Sequence, residues 1–423
     1  MKQPAMMVGI IIAVLLILCS PVTLQAQSGG TTTSACPQIV EIALATTHQL
    51  CERIGENQAC YGHVLVDALP QDHVEEFAFS QEGDIAELVD LKTIRLSPMD
   101  LESGLWGVAL MNLRAYMQYA SPQPVTFLLF GDVEINNRVA PAPTIEVTVA
   151  SRTAVNVRLA PTPNAGVIGV LQPGQTVTAK ARLADNSWLR VALPDNDRVG
   201  WTFAANLTSE EDINTLNVVE SWAPFYGPMQ AFYFRSGIDD AACVESPPSG
   251  LLIQTPEGVA EVTLLVNEVS IQMSATAYLQ AAPGEQMTFS VLSGWAIVEA
   301  AGRQQPVFAG TQVSIPLSAD LTPVAPPSAP APYDLAALQA LPLNLLGSPV
   351  TIASPLQATQ IMQLLEAVAE AGGVISSASV AAAAETSSGS SDTLPPGLEG
   401  AAPPGQGGTA PGQGGTPPGQ TKK

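Results

Sequence analysis

Three histidines, His48, His63 and His73, and the cysteine Cys60 beside His63 are the residues of this 423-residue chain that could carry acid–base, thiol or metal chemistry. All lie before residue 74, so the rest of the chain lacks the side chain that most often serves as general base or metal ligand. Cys60 and His63 would act as nucleophile and base only with a reduced thiol and an oriented imidazole. His63 and His73 flank Asp67 and Asp72, a donor set that suits zinc in type but matches no recognised ligand spacing. Ser103-Gly104 and Ser293-Gly294 lack a nucleophile-elbow context, and no phosphate loop or dinucleotide fingerprint occurs. This inventory favours recognition over turnover. No catalytic residue, metal or cofactor is expected, with a cysteine or zinc hydrolase around Cys60 and His63 as the alternative.

The cysteines past the N-terminal run, Cys36, Cys51, Cys60 and Cys243, are even in number, which fits disulfides in an exported protein. Pro37 to Ile54 has helical spacing, with Ile39, Ile42, Ala43, Leu50 and Ile54 near one face. On a continuous helix Cys36 and Cys51 lie about 22 Å apart, beyond the roughly 7 Å limit for a disulfide. That removes one of three possible pairings; of the others, the short Gly55-Glu56-Asn57 turn favours Cys51 with Cys60, which leaves Cys36 to meet Cys243. Export is read from residues 1–26: Lys2, an apolar run from Val8 to Cys19, Pro21 and the exit Leu24-Gln25-Ala26 have the three parts of a secretory signal peptide. An uncleaved membrane anchor over residues 5–24 is the alternative, and Leu18 argues against a lipid on Cys19. With 38 acidic against 16 basic residues the net charge is -22, which repels phosphate backbones and anionic headgroups. Nucleic acid is excluded as a partner, and membrane contact is expected only through the N-terminal segment.

The elements that must position these groups fall into several stretches. Residues 35–137 read as an α+β module: the helix, a strand over Tyr61 to Ala68, and paired strands Gly107 to Tyr116 and Val125 to Ile135, turned by Ser121-Pro122-Gln123-Pro124. Val125 to Phe130 is apolar on both faces, as in a covered central strand. Ala140-Pro141-Ala142-Pro143 is a stiff linker. Residues 221–318 read as all β, with a hairpin turning at Asn267-Glu268 and short strands split by glycine turns, which suggests a β-sandwich or jelly-roll-like module. Residues 333–372 hold a short helical segment, with a helix over Leu356 to Ala371 capped by Ser354 and begun by Pro355. Residues 376–423 are a Pro/Gly-rich tail, too poor in apolar residues to fold, and are expected to be disordered.

Residues 144–208 carry Asn156-Val157-Arg158, then Ile168-Gly169-Val170-Leu171 before Pro173-Gly174, then Asp185 to Val191 with Trp188 inside, Gly200-Trp201, and Asn206-Leu207. Val155, Val157 and Leu159 alternate, as do Val199, Trp201 and Phe203. Pro173-Gly174 and Pro194-Asp195-Asn196 supply turns. In this order the landmarks resemble the bacterial SH3-like (SH3b) domain, which implies a small β-barrel that binds cell-wall peptides or envelope proteins. Trp188 and Trp201, with Asn156 and Arg158 as polar neighbours, are the candidate ligand contacts, against the plain alternative that both tryptophans fill the core. Leu159-Ala160-Pro161-Thr162-Pro163 stands where relatives usually carry a Gly or Ser pair before the proline, so the loop there is expected to differ. Gly310-Thr311-Gln312-Val313-Ser314-Ile315-Pro316 resembles an element of the periplasmic FecR-type domain, which implies membrane-anchored extracytoplasmic signalling as an alternative function. The expectation is a multi-domain, mainly β, non-catalytic protein that is secreted or held in the cell envelope.

Overall fold

The computed structural model describes residues 35–371 apart from 115–123, 195–197, 238–239, 244 and 257–260. The signal or anchor segment, the Ser121-Pro122-Gln123 turn, Asp195-Asn196 and the tail lie outside the described residues. The chain divides into two units, residues 1–361 and 362–423, and the boundary falls inside the last described helix.

Helix α1 (Ala35–Cys51) opens the first unit, with β1 (Gln58–His63), β2 (Val66–Pro70), β3 (Ile85–Glu87), β4 (Leu91–Leu96), β5 (Val108–Leu113), β6 (Val125–Phe130) and β7 (Val133–Asn137) after it. Seven short strands then form a separate curled sheet: β8 (Ile145–Val149), β9 (Val155–Arg158), β10 (Val167–Leu171), β11 (Thr176–Arg182), β12 (Trp188–Ala192), β13 (Val199–Phe203) and β14 (Leu207–Thr208). The chain returns through β15 (Ala231–Ser236), β16 (Gly250–Gln254), β17 (Val262–Val266), β18 (Val269–Ala281) and β19 (Gln286–Ala300). It ends in β20 (Arg303–Phe308), β21 (Thr311–Pro316), β22 (Ala331–Pro332), α2 (Leu335–Leu338) and α3 (Ala358–Glu370). The chain is mainly β, and its two sheets enclose separate hydrophobic cores.

Residues 35–137 and 221–318, separate in the sequence reading, share one sheet. Its order is β2-β4-β7-β15-β17-β18-β16-β6-β5-β1-β3, with β19 extending from β18 and β20 to β22 from β19. β6, apolar and buried on both faces, sits at the join, with β5 on one edge and β16 on the other. Alternate residues of these strands enter different cores. Leu110, Leu128 and Leu252 meet Ile39 and Ala43 of α1 and Leu338 of α2, while Met111, Phe127, Leu129 and Ile253 enter a larger core shared by both stretches. Several expected boundaries also shift. The run from Val125 to Ile135 breaks at Gly131, whose φ of +77° favours glycine and where a Cβ would lie 2.1 Å from Ser249 Oγ. The Tyr61 to Ala68 run breaks near Leu65, and the short strands expected between 269 and 299 fuse into two long ones. Asn267 and Glu268 both have positive φ, as a two-residue hairpin turn of this kind requires.

The curled sheet of β8 to β14 is inserted between β7 and β15, which pair antiparallel with Asn137 opposite Phe232. The Arg138 amide donates to the Ala231 carbonyl at 2.8 Å, so the chain leaves and re-enters the large sheet at adjacent points. Glu134 of β7 fastens that junction. It accepts hydrogen bonds from Arg95 of β4 at 2.9 Å and from Arg235 of β15 at 2.8 Å. Burial alone would raise its carboxyl pKa, but hydrogen bonds from Asn136, Arg235 and Arg95 outweigh burial and hold it below the ordinary value. Two disulfides add covalent ties: Cys51–Cys60, nine residues apart, and Cys36–Cys243, 207 apart, with Cα separations of 5.8 and 6.3 Å.

Chain-entropy arithmetic puts the long crosslink at about 5 kcal/mol and the short one at about 3 kcal/mol. Replacing Cys36 and Cys243 with serine should therefore lower stability in urea more than replacing Cys51 and Cys60; equal losses would contradict the entropic assignment. Glu134→Gln should cost on the order of 1 kcal/mol, because its arginine partners are partly exposed. The depressed carboxyl contributes stability that is present above its unfolded pKa and lost as pH falls through its folded one. The difference between wild type and Glu134→Gln should thus shrink in acid below about pH 4, as read from denaturation midpoints against pH.

Candidate ligand groove on the inserted barrel

The seven strands run β10-β9-β13-β12-β11-β8-β14 around a core that includes Val147, Val155, Val157, Leu171, Leu189 and Val191. One glycine fixes which way the tryptophans face. A Cβ on Gly200 would lie 2.5 Å from Ile168 Cδ1 and 2.6 Å from Val157 Cγ1, so Gly200 faces a core with no room for a side chain. Period-2 alternation then turns Val199, Trp201 and Phe203 to the outer face, beside Trp188 and Arg190 of β12. Neither tryptophan belongs to the barrel core, contrary to the plain alternative for both. They are buried from outside instead, at 8% and 3% exposure for Trp188 and Trp201.

Trp188 and Phe203 are cross-strand partners whose rings meet edge to face at 5.4 Å. Phe203 leaves 44% of its surface exposed. Together they border a groove of about 400 Å³ whose walls also include Asn156, Arg158, Pro163 and Asn206. Arg158 Nη1 donates to the Ala165 carbonyl at 2.8 Å and so braces the loop that carries Pro163. The Leu159 to Pro163 departure from the family pattern thus builds one wall of the groove. Three of the four sequence candidates, Trp188, Asn156 and Arg158, converge here. Trp201 does not line the groove. Pro163, Phe203 and Asn206 were missed, although Phe203 shares the alternation that singled out Trp201.

Trp201 has another neighbour. The Arg190 guanidinium sits 4.4 Å from its ring centroid and 5.9 Å from that of Phe225, and Nη2 donates to the Ala223 carbonyl at 2.6 Å. Burial lowers the Arg190 pKa to about 10, which leaves it charged at neutral pH. The segment after β14 therefore packs on the barrel. Leu216 enters the barrel core, and Arg182 bridges Val218 in parallel. The barrel extends past residue 208, and Ala223 and Phe225 contact its Arg190 although the sequence reading opened the third module at 221.

The alternative chemistry near the N-terminus is placed differently. Cys60 is disulfide-bonded to Cys51 and is no free thiol. His63 Nδ1 donates to the Trp106 carbonyl at 2.9 Å, and His73 Nε2 lies 3.3 Å from Asp90. Among the described residues no three His, Cys, Asp or Glu side chains gather as a metal-binding group, and no helix is long and apolar enough to cross a membrane.

Residues 153–208 match the family model of the bacterial SH3 domain, which marks this segment as a binding module and, with the two disulfides, fits an extracytoplasmic location. No curated protein and no solved structure matches the chain.

Because Trp201 is buried under Arg190, Trp201→Ala should cost about 3 kcal/mol of barrel stability. Asn156→Ala, on the exposed groove wall, should stay within about 0.5 kcal/mol. Denaturant titrations that ranked the two the other way round would reject this placement.

Proposed function

We propose that this is an exported, non-catalytic envelope protein whose inserted barrel binds cell-wall peptides or envelope-protein ligands in the Trp188–Phe203 groove. The observation that carries the reading is the convergence of two aromatic rings, an arginine and two asparagines on one outer face of a domain that matches the bacterial SH3 family. Exposed aromatic surface supplies contact area at low entropic cost, and the asparagines offer donors and acceptors to a ligand backbone. The disulfides suit an oxidising compartment outside the cytoplasm. The bonded state of Cys60 argues against thiol catalysis in the first stretch.

Charge sharpens the ligand class. Residues 144–208 hold six basic and four acidic side chains, a net +2 in a chain of -22. Among the described residues the groove lining contains Arg158 and no carboxylate. The favoured ligand is thus a peptide carrying carboxylate groups, drawn to the barrel while the rest of the surface repels it.

Sedimentation of the full-length protein with purified cell wall tests this. Phe203→Ser and Arg158→Gln should each weaken binding at least tenfold, and rising salt should weaken the wild type. Trp201→Phe should bind as the wild type does. Equal binding by wild type, Phe203→Ser and Arg158→Gln, with all three folded, would refute the groove as the site.

A further inference from the structure

The large sheet carries a second concave site, far in sequence from the barrel. One register beyond the apolar row Cys60–Leu110–Leu128–Leu252–Tyr278, five adjacent strands place Gln58, Asn112, Thr126, Gln254 and Thr276 side by side. Polar residues so aligned across the middle of a sheet otherwise covered by α1 and α2 are costly unless hydrogen-bonded. The two glutamines of the row are satisfied. Gln58 bonds Gly55 and Glu87, and Gln254 exchanges two 2.9 Å hydrogen bonds with the Ser348 backbone, pinning residues 343–348 beside the sheet. The middle is held less well. Asn112 Nδ2 reaches the Ile54 carbonyl only at 3.5 Å, and Thr126 Oγ1 reaches Asn112 Oδ1 only at 3.3 Å.

Those two side chains line a cleft of about 240 Å³, bounded by the last turns of α1, by Leu110 and by Asn344 to Gly347. Thr47 also lines it, but its side chain is fully buried against Gly62, and among the described residues its hydroxyl has no hydrogen-bond partner. Leu110, Leu345 and Cys51 supply apolar surface, and the exposed Glu52 and His48 stand on the solvent side. Among the described residues no lysine or arginine lines the cleft.

We propose that this cleft is a second ligand site that takes a small uncharged molecule through an acetamido group. An acetamido group pairs one donor and one acceptor with a methyl, and the site answers each part. Asn112 offers both a donor and an acceptor, Thr126 a hydroxyl, and Leu110 and Leu345 a place for the methyl. The volume is below the roughly 300–1,000 Å³ of sites for drug-sized ligands, which suits a single sugar ring or a capped amino acid. The lack of a basic residue disfavours anions, the opposite of the barrel groove. This site stands whether or not the barrel reading holds.

Saturation-transfer NMR on the full-length protein, with N-acetylglucosamine and N-acetyl-alaninamide as separate probes, tests the site. The acetyl methyl of at least one probe should receive saturation. A response from the sugar alone assigns a saccharide source, from the capped amino acid alone a peptide source, and from both the acetamido group itself. Thr126→Val keeps the shape but loses the hydroxyl, and should weaken the response at least fivefold. Gly347→Val should abolish it, because a Cβ there lies 3.3 Å from Thr126 Oγ1 and projects side-chain bulk beside the polar row. Phe203→Ala, in the barrel, should leave it unchanged. The proposal is overturned if neither probe responds, if both cleft variants respond as the wild type does, or if Phe203→Ala removes the signal.

Discussion

The antiparallel pairing of β7 with β15 is the constraint on which the rest of the molecule depends. It joins the stretch before the barrel to the stretch after it, and it fixes the exit and entry points of the inserted domain next to each other. An insertion at such a junction leaves the host sheet's hydrogen bonding intact, because its two ends span only one strand spacing. Glu134, set between Arg95 and Arg235, makes the junction sensitive to charge as well as to backbone pairing. The Cys36–Cys243 bridge spans the same insertion, so the covalent and hydrogen-bonded closures act on one loop. The entropic cost of closing a loop that long grows only slowly with its length, which is why a whole domain can be carried there.

Local sterics then decide how the barrel presents itself. Gly200 has no room for a side chain, and through the period-2 alternation of β13 that single fact sends Trp201 and Phe203 outward. Once outside, the two aromatic residues have different fates. Trp201 is roofed by Arg190 and becomes structural, whereas Phe203 stays half open beside Trp188. The exposed groove and the buried stack are therefore one row of side chains, divided by what covers each part.

Much of this was legible in the sequence, and the misses have physical causes. The order of turns, apolar pairs and Gly-Trp steps was enough to place the barrel, because its strands are short and half-buried and so alternate cleanly. The rise of α1 keeps Cys36 away from Cys51, and the short turn between Cys51 and Cys60 then favoured the pairs that form. What alternation could not show is which of two apolar faces is inner. In β13 the smallest residue, not the largest, faces the core, and only the three-dimensional crowding around Gly200 reveals it. Sequence reading also split one sheet into two modules. Strand partners separated by the whole barrel, such as β6 with β16, leave no local trace, while the composition of each stretch looks self-sufficient. The polar row was invisible for the same reason: Asn112, Thr126 and Gln254 become neighbours only through the register of long-range pairs.

The two connections to the barrel differ in kind. The entering chain, residues 139–143, is proline-rich and forms no strand. The leaving chain is bound to the barrel through Leu216, the Arg182–Val218 bridge and the Arg190 contacts to Ala223 and Phe225. Trp201 stands between these contacts and the groove, opposite Arg158 on β9 and opposite Arg190 on β12. Arg158 is thus one cross-strand step from the aromatic ring that carries Arg190, and Arg190 holds the segment leading back to β15. Packed side chains with shared partners are the kind of neighbours whose energies do not add independently. Fastening of the leaving segment therefore draws on Trp201 and Arg190, whereas Arg158, across the strand pair from Trp201, faces the groove.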